Sequence, residues 1–161
     1  ASDVYKRQAL INERIATAFE SDSSGKAAIG HGYTYSGHPV GAAAALAAIV
    51  ETRRLDVVTN AAARGTQLYD GMVSLAGQYP VVGNVRGGHG LMTAMELVAD
   101  RETKAPIDGK LAIKMQKAAY QAGALIRVSG PNVILSPSLV IEEADIDIAL
   151  NAVEEGLKAI S

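Results

Sequence analysis

The segment Gly30-His31-Gly32-Tyr33-Thr34-Tyr35-Ser36-Gly37-His38-Pro39-Val40-Gly41 runs straight into Ala42-Ala43-Ala44-Ala45-Leu46. A glycine-rich turn bearing hydroxyls therefore leads into a proline and then a strong helical run. Proline suits the first turn of a helix, where its missing N–H costs nothing. The free N–H groups of that turn, with the positive end of the helix dipole, favour a phosphate or carboxylate in front of them. Thr34 or Ser36 adds a hydroxyl donor. The same pattern also serves a loop that only caps a helix.

The pattern predicts a helix from about Pro39 to Arg54. Its face of Gly41, Ala44, Ala45 and Ala48 is small enough for another backbone to approach closely, as at a domain or subunit interface. Upstream, Ala9 to Ile11 reads as the tail of a buried strand, and Asn12 caps a short helix ending near Phe19. Downstream, Asp56 is placed to cap a helix reaching about Gly77. Its apolar positions Val58, Ala61, Ala62, Gly65, Leu68, Tyr69, Met72 and Leu75 recur at three- and four-residue spacing, with Arg64, Gln67 and Asp70 on the exposed side. Strands are expected from Val81 and over Leu91 to Val98, with a polar connection from Asp100 to Asp108. A helix from Lys110 to Ala122 points Leu111, Met115, Ala118 and Ala122 inward and ends at Gly123. Ala124 to Val128 and Val133 to Leu135 read as strands joined through Ser129-Gly130-Pro131-Asn132. After an extended stretch from Pro137 to Ile141, a last helix runs from about Glu143 to Ile160, with Ile146, Leu150, Val153, Leu157 and Ile160 on one face. Strands flanked by helices make an α+β layer.

Hydrophobic residues make up 48% of the 161 and charged residues 20%, which supports a packed core and argues against disorder. A net charge of −2 with mixed signs gives no handle for nucleic acid or an anionic membrane. The longest apolar stretch, near Val40 to Val50, is too short to span a bilayer. Without cysteine there is no disulfide framework and no thiolate metal site, which suits a reducing cytoplasm. His31, His38 and His89 have no metal-ligand spacing, and loop or capping roles suit them better. No apolar secretory signal opens the chain.

Gly32-Tyr33-Thr34-Tyr35-Ser36-Gly37-His38-Pro39 and the alanine-rich helix after it resemble the class III aminotransferases, pyridoxal-phosphate enzymes of fold type I. The resemblance extends over roughly Ala9 to Ile160. It implies the C-terminal part of an α/β and α+β fold type I transferase: residues 9–55 as the end of the large, cofactor-binding domain, and 56–161 as the small C-terminal α+β domain. Residues 1–8 do not match and are read as an unrelated leader. In the family, the motif threonine reaches the cofactor phosphate of the neighbouring subunit. That role falls on Thr34, with Tyr33 beside it, in a homodimer. The parent enzyme moves an amino group from an amine or ω-amino acid to a keto acid such as pyruvate, with pyridoxal 5'-phosphate as cofactor.

A second site is expected at Arg127, on the apolar run Gly123-Ala124-Leu125-Ile126. Physically, such an arginine either snorkels to the surface or meets a specific anion. The family pattern at this point, an arginine, a turn, a strand and a proline-rich stretch, makes it the fork for the substrate carboxylate. Ser136-Pro137-Ser138-Leu139 departs from that pattern by a serine in place of a second proline. Arg86, in Val85-Arg86-Gly87-Gly88-His89-Gly90, is read as structural. The Asp100-Arg101-Glu102-Thr103-Lys104-Ala105-Pro106 stretch resembles the ω-amine branch.

Transamination needs a lysine to carry the cofactor. Lys6 precedes Thr34 by about the family's distance, yet only Arg7-Gln8 separates it from Ala9, without the glycine-rich run expected there. No other lysine, including Lys26, Lys104 and Lys117, has a suitable setting. No catalytic residue is therefore assigned, and the chain by itself is expected to be inactive. The alternative is a non-catalytic phosphate-binding or oligomerisation module.

Overall fold

The structure, a computed structural model, describes residues 11–26 and 38–161. The chain divides into two compact units, Ala1–Arg54 and Leu55–Ser161.

In the first unit, α1 spans Glu13–Glu20 and begins where Asn12 Oδ1 accepts the Ile15 N–H at 3.1 Å. Ile11 is not in a strand; the rest of the strand expected there lies outside the described residues. Helix α2 spans Pro39–Arg54 and starts at the proline, as its fixed φ favours. His38 caps it: its Nδ1 accepts the Gly41 N–H at 3.1 Å, and its carbonyl accepts the Ala42 N–H at 3.0 Å. One of the first-turn donors that the sequence reading reserved for an anion is thus already taken by a side chain. None of the α2 residues is buried, and its small-residue face stays open within the unit.

The second unit opens with α3, Val57–Gln78. Asp56 occupies the position before it but does not cap it in the expected way. Its backbone is left-handed, φ 46°, whereas a capping side chain needs an extended backbone to reach the helix N–H groups. Its Oδ1 instead accepts the Thr59 hydroxyl at 3.0 Å. The buried stripe of α3 is Val57, Gly65, Leu68, Met72 and Leu75. Val58 and Ala62, expected inside, are exposed.

Four antiparallel strands follow: β1 Val82–Arg86, β2 Thr93–Leu97, β3 Arg127–Ser129 and β4 Asn132–Leu135, in the order β1-β2-β4-β3. Alternation on β2 sends Thr93, Met95 and Leu97 into the core. Strands β3 and β4 form a hairpin closed by Gly130-Pro131, where Gly130 takes φ 57° and proline supplies the negative φ that must follow. The strand expected from Ala124 begins only at Arg127. Gly123 turns out of the preceding helix at φ 108°, the Ala124 N–H still bonds back to Ala119 O at 3.1 Å, and the Gln116 amide takes the Ile126 carbonyl at 2.8 Å. These backbone groups have partners that a ladder does not provide.

Helix α4, Gly109–Gln121, is capped by Asp108, whose Oδ1 accepts the Lys110 N–H at 2.9 Å. Its buried residues are Ala112, Met115 and Ala119, so the inward face is rotated from the one expected. Helix α5, Glu143–Lys158, buries Ile146, Ala152, Val153, Gly156 and Leu157. Helices α3, α4 and α5 and the sheet enclose one core, with Leu68, Met72, Met95, Met115, Val133 and Leu157 fully buried. Glycine permits a close crossing of α4 and α5: a Cβ on Gly156 stands 2.8 Å from Met115 Cγ and 3.0 Å from its carbonyl oxygen.

The buried Thr93 hydroxyl has no hydrogen-bond partner among the described residues. An unsatisfied buried hydroxyl costs about 1–3 kcal/mol, so Thr93→Val is expected to stabilise the fold by about 1 kcal/mol. Equilibrium urea unfolding checks this, and a lower midpoint for the variant contradicts it.

Candidate functional site

Arg127 sits at the start of β3, an edge strand, and is exposed. It lines a groove of about 580 Å³ between the end of α4, the β3–β4 hairpin and the start of α5. The walls are mostly apolar, with Leu125, Ile134, Pro137, Ile141 and Ile148 among them. Ser136 and Asp145 are the polar members besides the arginine. Leu125 is 80% exposed and Met92, at the same groove, 66%, so its mouth is both apolar and open. Among the described residues the Arg127 guanidinium makes no ion pair and no hydrogen bond. An unpaired guanidinium beside an apolar groove matches a ligand with an anionic end and an apolar body.

Thr34 and Tyr33 lie outside the described residues, as does the turn that carries them. No lysine lines the Arg127 groove. Lys158 is held by Glu154 at 3.1 Å and Glu155 at 2.8 Å, and Lys104 Nζ donates to Gly83 O at 3.4 Å. The described residues thus offer one unpaired guanidinium beside an apolar groove. They do not by themselves make a site for the phosphate and aldehyde of pyridoxal phosphate. Among them, no cluster of histidine and carboxylate side chains is arranged to hold a metal, and no helix is long and apolar enough to cross a membrane.

Two other sequence motifs resolve into architecture. Arg86 reaches across the sheet, donating to Glu96 Oε2 at 3.2 Å and to Asn132 Oδ1 at 2.5 Å, and so ties β1, β2 and β4 together. The Asp100–Pro106 stretch is a self-braced turn. The Asp100 carboxylate accepts the Thr103 N–H at 2.6 Å, the Thr103 hydroxyl at 2.8 Å and the Glu102 N–H at 3.0 Å. Arg101 then projects from it to bind Val82 O at 2.9 Å, Tyr79 O at 3.3 Å and Ala76 O, closing the C-terminus of α3. The bonds from Thr103, assisted by the Glu102 N–H and opposed by partial desolvation, hold the Asp100 carboxyl below its ordinary range. A depressed folded value means the turn is supported above the ordinary carboxylate pKa, about 4, and loses support as pH falls through the lower folded value. An NMR titration of the Asp100 side-chain carbon should therefore show a midpoint below that of an unfolded aspartate, with the Thr103 amide following it. A midpoint at the ordinary value contradicts the assignment.

The sequence placed Arg64 and Gln67 on the exposed side of α3 and did not single out Asn60, whereas all three are engaged by the β4–α5 region. Asn60 Nδ2 donates to Leu139 O at 2.9 Å and to Ile141 O at 3.0 Å. Gln67 Nε2 reaches Asp147 Oδ1 at 2.9 Å and Glu143 O at 3.2 Å, while Arg64 pairs with Glu143 at 2.8 Å. Their spacing of four and three residues, a polar stripe beside the apolar one on α3, was the available signal.

Comparison with known proteins decides the family. The model of the family "Aminotransferase class-III" matches residues 6–157. The chain belongs to the class III aminotransferases. It is 36% identical over 134 residues to the taurine–pyruvate aminotransferase of Bilophila wadsworthia, covering 79% of this chain and 29% of that one. An aminotransferase of Sinorhizobium fredii is 34% identical over 155 residues, covering 94% and 33%. Among solved structures, an amine transaminase from an uncultivated Pseudomonas species, in its PLP-bound internal aldimine form, superposes with a TM-score of 0.84 at 39% identity, covering 94% of this chain and 34% of that one. The chain thus spans about a third of the length of the relatives it matches, and its mixed fold with a small antiparallel sheet is that of part of a fold type I transferase.

Proposed function

We propose that this class III segment serves an aminotransferase that moves an amino group from an amine or ω-amino acid to a keto acid such as pyruvate. Pyridoxal phosphate, when bound, supplies the electron sink for that chemistry. The contribution of the chain is recognition. Arg127 forks onto the carboxylate of the keto acid or amino acid, and the apolar groove beside it takes the remainder of the molecule. The observation that carries this reading is the unpaired Arg127 guanidinium at an open apolar groove. The relatives named for taurine, pyruvate and amines support it.

In the same reading, Thr34 and Tyr33 face the cofactor phosphate of a partner subunit in a cytoplasmic homodimer. Residues 9–55 close the large domain and 56–161 form the small one. The Schiff-base lysine comes from outside this chain. The purified chain, incubated with pyridoxal phosphate and borohydride, is then expected to give no stoichiometric reduced adduct at a single lysine and no alanine from pyruvate. A unique reduced lysine together with turnover contradicts this.

A further inference from the structure

We propose that Asn60, supported by Gln67 and Arg64, is a positioning residue that sets the width of the Arg127 groove. The inference rests on the reading that this groove is where substrate binds. One wall of the groove is made by Ile141, Asp145, Ile148 and Ala149, that is, by the connection after β4 and the first turns of α5. This wall has irregular backbone at its base, and the acceptors Leu139 O, Ile141 O and Glu143 O lie along it. The stripe on α3 supplies their donors. Asn60 bridges Leu139 O and Ile141 O with one amide nitrogen, and Gln67 bridges Glu143 O and the Asp147 carboxylate with another.

The bonds bracket the residues that face the groove: Ile141 is itself held, and Asp145 lies between Glu143 and Asp147. Arg64 fixes the stripe from within. Its guanidinium donates to Gln67 Oε1 at 2.7 Å, which turns the Gln67 amide nitrogen toward α5, and pairs with Glu143 at 2.8 Å. The opposite wall, at Leu125 and Arg127, belongs to the α4–β3 connection and is held separately through Gln116. The first wall thus takes side-chain bonds from α3 and the second from α4, while α5 also packs against α4.

The test uses the 161-residue chain with two probes, 4-phenylbutyrate and its neutral amide, followed by methyl NMR at Ile148 and Leu125. Asn60→Asp keeps the size of the side chain and removes both donors. It is expected to weaken both probes about fivefold or more at a temperature where the chain remains folded, since displacing a positioning wall weakens every occupant. Gln67→Met should act in the same direction, and it carries the decision if the first variant does not fold. Arg127→Gln should weaken the carboxylate only. If Arg127→Gln changes neither probe while Asn60→Asp weakens both, the arginine reading fails and the positioning role stands. Unchanged affinities in Asn60→Asp, even with a lowered melting temperature, reduce Asn60 to a structural brace and overturn the proposal. Failure of the unaltered chain to bind either probe overturns it as well.

Discussion

Gly65→Ala is expected to destabilise the second unit by about 3 kcal/mol or more, at the upper end of overpacking costs. A Cβ at this position stands 2.5 Å from the carbonyl carbon of Gly90 and 2.9 Å from its Cα, and it collides outright with the carbonyl oxygen. The neighbour is backbone, so no side chain can swing aside. Gly90 also holds φ 78°, within a loop whose Gly87 and Gly88 are positive too, and Leu91 beyond it is buried. Helix propensity pulls the other way by about 1 kcal/mol, which is too little to change the sign. Gly77→Ala in the same helix is the control: nothing lies within 4 Å of its Cβ, so it is expected to gain up to about 1 kcal/mol. Thermal unfolding of the pair should separate by about 10 °C or more. Equal melting temperatures contradict the close approach of Gly90 to α3.

Replacing Arg127 is expected to have the largest effect on recognition. Hydrogen bonds to a charged group are worth about 1.5–3 kcal/mol, so loss of a two-pronged guanidinium contact corresponds to roughly 10- to 100-fold in affinity. The measurement needs a complete enzyme. Residues 9–161 can replace the matching third of the amine transaminase from the uncultivated Pseudomonas species, to which this chain is 39% identical where the two align. In that graft, Arg127→Gln should raise the KM for pyruvate by about 10- to 100-fold and leave an aldehyde acceptor, which has no carboxylate, nearly unchanged. A lysine at this position keeps the charge but not the fork, so Arg127→Lys should fall between the two. An equal change for both acceptors makes Arg127 a structural residue.

Much of the helix layout was legible because its signals are local. Asn12, Pro39 and Gly123 mark helix ends by their own side chains or backbone, and the structure places ends at each. The β3–β4 turn was legible for the same reason, since Gly130-Pro131 encodes its own dihedral pattern. What escaped depends on distant partners. The apolar run at Ala124–Ile126 reads as strand, yet its backbone groups are claimed by Ala119 and Gln116. On α4, alanines occur on several faces, and their spacing alone did not say that Ala112 and Ala119 would be the buried ones. Asp56 is a good capping residue whose left-handed backbone denies it that role. Asn60 bonds to carbonyls 79 and 81 residues away, and the polar stripe that carries it does not say which backbone it meets.

The candidate site divides in the same way. Arg127 was found as a cation on an apolar run together with a family motif, and the groove around it became visible only once the hairpin and α5 were placed. The Asp100–Pro106 stretch, read as a mark of the ω-amine branch, is a braced turn that closes α3. That use explains its residues without reference to substrate.

Alanine formation by the graft is the most direct measurement. With a primary amine as donor and pyruvate as acceptor, a folded and cofactor-loaded graft is expected to release alanine at a rate that depends on the sequence of residues 9–161. A graft that folds and retains cofactor, yet transfers no amino group to pyruvate, contradicts the assignment of this chain to a working aminotransferase.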